Sequence, residues 1–154
     1  MSDLTTVHRP LTADELDRWI AELESGNHKQ AMGQLRRGTD YDDGARYGYC
    51  CLGLKCQIAG FDLDATFDTY EDYNGNEIHE PFYTHPGTTV GKGGTPEPLH
   101  SLSYKTRSAL ASANDTGYTF ADIAGVLRRF RDDLLAGRSL QYGGPVGGEW
   151  EVVA

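Results

Sequence analysis

The chain has 154 residues and a mass of 16.9 kDa, about one domain's worth, because two independent cores of half that size would each be marginal. Fourteen Lys and Arg against 23 Asp and Glu leave a net charge of −9, which excludes broad, non-specific binding to nucleic acid or to an anionic membrane surface. An apolar fraction of 38% with nine Tyr, five Phe and two Trp can build a modest core, while 19 Gly and 6 Pro predict much loop.

Three Cys, two of them adjacent at Cys50 and Cys51 and the third at Cys56, make a poor disulfide framework, since neighbouring Cys pair only in a strained ring and one thiol is always left over. No basic start with an apolar run follows Met1, and no stretch approaches the roughly 18 apolar residues of a membrane span. Reduced thiols in a cytoplasm are the expectation.

Along the chain, Thr12 can cap a helix, Glu15 three residues on completes a capping box, and Leu11 can staple onto Leu16. Leu16, Trp19, Ile20 and Leu23 recur at the spacing of one buried helical face, and Gly26 is placed to end it. This predicts a helix over residues 13–25. Residues 29–37 have no helical stripe and read as extended. Residues 38–48 form a polar turn, and Tyr49 to Gly60 reads as a short apolar helix, with a buried strand as the alternative.

Residues 67–73 and 77–83 flank Asn74-Gly75, the pair favoured in tight hairpins because both positions tolerate positive φ. His85 to Pro98 reads as a mobile loop, Ser103 to Ala113 as a helix and Asn114 to Gly117 as a turn. Thr119, with Asp122 three on, opens a last helix that turns Phe120, Ile123, Val126, Leu127, Phe130 and Leu134 inward before Gly137. The fold class expected is α+β, a small antiparallel sheet with three to four helices in a single domain over residues 1–137. Residues 138–154 are then a Gly-rich tail or a docking arm carrying Trp150, Val152 and Val153.

Several pieces taken together resemble a known group. Trp19 to Leu23, Ser25-Gly26, Gln30, Gly33, Leu35-Arg36, the run Tyr49-Cys50-Cys51-Leu52-Gly53, and then Leu110, Asn114-Asp115, Gly117 and Phe120 to Ala124 resemble a family of small uncharacterised proteins of phage and actinobacterial genomes. The likeness covers about half the chain and departs from the family pattern in residues 61–102 and in the tail. It implies a phage-type accessory protein working in the cytoplasm of a bacterial host cell, and it brings no activity with it.

The residues that could carry chemistry fall into four groups. Cys50 or Cys51 at a helix start, followed by His79, His85 or His100 and then Asn114 or Asp115, has the order of a papain-like nucleophile, base and orienter. Small buried thiols are the commoner fate of such Cys. No metal is expected: the Cys spacing lacks a paired CxxC, and Asp62, Asp64 and Asp68 start a calcium-loop pattern that fails at Phe67 and Tyr73. Seven acids between Lys55 and Lys92 with no Lys or Arg among them form an acidic face that could imitate DNA or dock on a basic host protein.

Arg36, Arg37 and Arg46 lie among Tyr41, Tyr47 and Tyr49, and Arg forks with Tyr faces suit a phosphate and a base. Arg128, Arg129 and Arg131 read as ordinary complements of a helix dipole. The expectation is a non-catalytic phage protein that counters host defence by sequestering a small nucleotide-like immune signal on Arg36, Arg37, Arg46, Tyr47, Tyr49, Asn114 and Asp115. No cofactor, no membrane and no direct nucleic acid are expected, and a homo-oligomer is. The alternatives are an acidic decoy for a host protein and a cysteine-nucleophile hydrolase.

Overall fold

The computed structural model describes residues 5–30, 36–38, 47–61, 67–71, 77–81, 83–84, 88–89, 97–143 and 149–153. Helix α1, Ala13–Glu24, starts where the capping box requires. The Thr12 hydroxyl accepts from the Glu15 amide at 3.2 Å, and the Glu15 carboxylate accepts from the Thr12 amide at 3.4 Å, so two orphan donors are satisfied reciprocally. Leu16, Trp19, Ile20 and Leu23 are all buried, and Gly26 takes φ 74 just beyond the helix, a left-handed conformation that costs glycine least.

The alternatives left open for residues 49–60 resolve as a helix, α2, Cys51–Ile58, capped by Cys50. Every residue from Cys51 to Cys56 is buried, so α2 is surrounded rather than amphipathic, which is why no stripe marks it in the sequence. It packs between α1 and helix α3, Tyr104–Asp115. That helix runs two residues past the expected end, so Asn114 and Asp115 belong to a helix rather than to a turn.

The last predicted helix is two helices, α4 at Phe120–Arg129 and α5 at Arg131–Leu135, separated where Phe130 leaves helical geometry at φ −106 and ψ 20. Phe130 and Leu134 stay buried on either side of the break, so the apolar spacing continues across it and conceals it. Helix α4 packs along α1.

Among the described residues the strands pair two by two, all antiparallel: β1 Arg36–Gly38 with β2 Tyr47–Tyr49, and β3 Phe67–Glu71 with β4 Glu77–Pro81. The pairs β5 Tyr83–Thr84 with β6 Thr88–Thr89, and β7 Ser139–Tyr142 with β8 Trp150–Val153, complete the set. The hairpin expected about Asn74-Gly75 has its strands in place, with Glu71 opposite Glu77; the turn itself lies outside the described residues. Within the segment read as a mobile loop, Thr88–Thr89 is a strand and Glu97–Leu99 a 3₁₀ turn; paired Thr suits a β-ladder. The architecture is α+β, with five α-helices among the described residues and one buried core.

Strand β7 lies against α3. The Ser103 and Ser139 hydroxyls are hydrogen-bonded at 2.7 Å, and the Leu140 amide donates to the Thr106 hydroxyl at 3.0 Å. Trp150 stacks on Tyr142 with centroids 4.8 Å apart and donates through Nε1 to the Tyr118 hydroxyl at 3.1 Å.

Across the helix interface, Trp19 is fully buried and its Nε1 donates to the Cys51 carbonyl at 3.0 Å. Trp19→Phe removes both that bond and part of the ring. The expected loss is about 1–3 kcal/mol of stability, read as a lower midpoint in a urea titration monitored by circular dichroism.

Candidate functional site

Residues 29–30, strand β2 and the C-terminal end of α3 meet at the start of α2. The Tyr49 amide donates to the Lys29 carbonyl at 2.9 Å, and Gln30 forms a parallel bridge with Tyr49. The Gln30 amide group then donates to Asn114 Oδ1 at 2.8 Å and to the Tyr118 carbonyl at 2.7 Å. The same Asn114 oxygen accepts from the Cys51 amide at 3.3 Å, and Asn114 Nδ2 donates to Asp115 Oδ1 at 3.2 Å. One side-chain oxygen thus receives an extended segment and the first turn of a helix.

This geometry sorts the expected ligand residues. The ladder sets Arg36 opposite Tyr49, Arg37 opposite Gly48, and Gly38 opposite Tyr47. Tyr49 is half-buried, and Asp115 is exposed at the end of α3. Arg46 lies outside the described residues. Asn114, expected to touch a ligand, is fully buried, and its oxygen is committed to Gln30 and Cys51, so it braces the site from behind.

The three thiols are enclosed. Cys50, Cys51 and Cys56 are free and fully buried. Cys50 is the N-cap of α2, its sulfur accepting from the Gly53 amide at 3.3 Å, while Cys51 Sγ donates to the Leu110 carbonyl at 3.6 Å. A helix start favours thiolate, but loss of hydration outweighs it here: burial pushes the Cys50 thiol up to about 12 and drives Cys51 well above its ordinary value. Of the partnering histidines, His79 sits in β4 opposite Thr69, and His85 lies outside the described residues. His100 is half-buried beside His8, ring centroids 6.0 Å apart, in a hollow also lined by Leu99 and Arg107. Neither Cys50 nor Cys51 hydrogen-bonds a histidine among the described residues.

The arginines after Val126 divide. Arg128, in the last turn of α4, pairs with Glu24, but Arg131 opens α5 instead of closing α4. It is offset by Asp17, with Nε and Nη2 each 2.9 Å from a carboxylate oxygen.

A second polar cluster escaped the sequence reading. Lys55, on α2, is 1% exposed and donates through Nζ to Glu15 Oε2 at 2.8 Å and to the Pro98 carbonyl, with the Trp19 ring centroid 5.8 Å away. Arg9 grips the same carboxylate with both terminal nitrogens, at 2.6 and 3.0 Å, and reaches Glu97 through Nε at 2.6 Å. Burial lowers the Lys55 ammonium from its ordinary value, with Glu15 opposing. Burial alone would raise Glu15, but hydrogen bonds from Arg9 and Lys55 win and bring it to about 2. The signal that could have found this cluster is a lone Lys inside an otherwise apolar run.

No family model matches the chain, and no curated protein or solved structure matches it either.

Because the folded Glu15 lies below its ordinary 4.5, its contribution to stability is complete above that pH and is lost as pH falls toward 2. Gln keeps the helix cap but not the charge. Thermal melts at stepped pH are expected to fall more steeply between about 4.5 and 2 for the native chain than for Glu15→Gln.

Proposed function

We propose that the protein is a non-catalytic binding protein that sequesters a small nucleotide-like signal. The site is the β1–β2 ladder at the head of α2. The observation that carries this reading is the register of Arg36 opposite Tyr49, a guanidinium position facing an aromatic one beside the rigid node built on Asn114. Such a pair supplies phosphate chemistry and a stacking ring at one place. A trap needs a preformed site and no nucleophile, and the buried thiols are compatible with that requirement. The biological setting, a phage-type accessory protein, is what the resemblance of the Trp19, Tyr49-Cys50-Cys51 and Asn114-Asp115 segments to phage and actinobacterial proteins implies, and the blunting of host defence is our inference from the trap chemistry.

A second reading, an acidic decoy for a host protein, has one specific observation behind it. In the β3–β4 ladder Asp68 is opposite Glu80 and Glu71 is opposite Glu77, two like-charged pairs that weaken a ladder standing alone and that a basic partner would relieve.

Native mass spectrometry after incubation with a panel of cyclic and linear oligonucleotide signals tests both. The trap predicts an intact ligand at fixed stoichiometry, retained by Cys51→Ser and weakened at least about tenfold by Arg36→Ala, a loss typical of a charge-assisted pair. The decoy predicts no small ligand and a salt-sensitive protein partner released by Asp68→Lys with Glu71→Lys.

A further inference from the structure

A cleft of about 280 Å³ opens over the start of α1 and the end of α2, with Arg9, Glu15, Arg18 and Lys55 around it and Ile58 and Ala59 as its apolar wall. Its charges balance with one cation to spare. Arg9 and Lys55 are met by Glu15 and Glu97 through the contacts at 2.6 and 2.8 Å. Arg18 is exposed and makes no hydrogen bond or ion pair with any described residue. It is also a forked donor, suited to a planar oxyanion.

The surrounding groups give that cation a fixed setting. Glu15 is turned inward by two cations and a helix cap, so it cannot swing out to neutralise Arg18. Lys55, nearly fully buried beneath it, holds Glu15 in that position, since leaving a buried ammonium unpaired is costly. The volume is at the small end for a ligand pocket and admits a fragment-sized molecule.

We infer that this cleft is a second binding site, for a small amphipathic oxyanion whose anionic head meets Arg18 and whose apolar body lies on Ile58 and Ala59. The site is separate from the β1–β2 ladder and stands or falls independently of the nucleotide reading. A carboxylate and a phosphomonoester share the required head-group chemistry.

Isothermal titration calorimetry of the full chain with hexanoate, hexyl phosphate and hexanol tests it. The expected result is saturable binding of hexanoate, hexyl phosphate or both at one per chain, the stronger identifying the head group, with no binding of hexanol. Arg18→Gln should weaken that binding at least about tenfold, as loss of a charge-assisted contact does, with an unchanged melting temperature. Ala59→Glu, which sets a like charge on the opposite wall, should abolish it, and Arg138→Gln, a remote surface cation, should leave it intact. Absence of saturable binding by both oxyanions overturns the inference, as does equal binding by folded Arg18→Gln, equal binding by Ala59→Glu, or an equal loss in Arg138→Gln.

Discussion

The Asn114 carboxamide fixes the position of α2, and most of the remaining structure is arranged around α2. Its oxygen accepts from Gln30 at 2.8 Å and from the Cys51 amide at 3.3 Å, satisfying one of the orphan donors at the helix start. The Cys51 contact is buried and the Gln30 contact partly so, and Asn114 itself is fully buried, where a polar group without partners is costly. The chain therefore has little freedom to shift β2 relative to α3. Trp19 closes the opposite side through the Cys51 carbonyl, so residue 51 is held by its amide from α3 and by its carbonyl from α1.

That double hold explains what the Tyr49-Cys50-Cys51-Leu52-Gly53 run is for. The thiols fill space that must be small and apolar, Cys50 replacing the usual hydroxyl cap with a sulfur that accepts from Gly53. A Ser at position 50 would cap equally well but would bring a strongly polar oxygen into a fully buried position. The site we propose on the preceding strand would draw on the same rigidity, because a preorganised ladder spends little entropy when a ligand arrives.

How much of this is legible in the sequence depends on whether the decisive partner is local. Thr12 and Glu15 are three residues apart, and their capping box can be read directly; the apolar spacing of α1 and α4 and the strands around Asn74-Gly75 can be too. Glu15 has a second role, as counterion to Lys55 forty residues on, and nothing local announces it. Lys55 stands out in the sequence only as a lone charge in an apolar run, since periodicity cannot reveal that α2 is enclosed on all sides. Asn114, followed by Asp115, Thr116 and Gly117, has the composition of a turn, and only its contacts with Gln30 and Cys51 draw it into α3. The break at Phe130 is silent for the opposite reason, because its apolar spacing is unbroken.

Charge distribution links the fold to its partners. At a net charge of −9 acids outnumber cations, and several cations of the described residues are paired with them: Arg9 and Lys55 at Glu15, Arg128 at Glu24, Arg131 at Asp17 and Arg138 at Asp133. Exposed pairs of this kind add little stability individually. Their larger effect is to cancel the fields that would attract anions indiscriminately. A cation left without a counterion then stands out against a quiet background, and a weak local site becomes selective because the rest of the surface competes poorly for the same ligand. In the cleft proposed at Arg18, that contrast is what a small oxyanion would read.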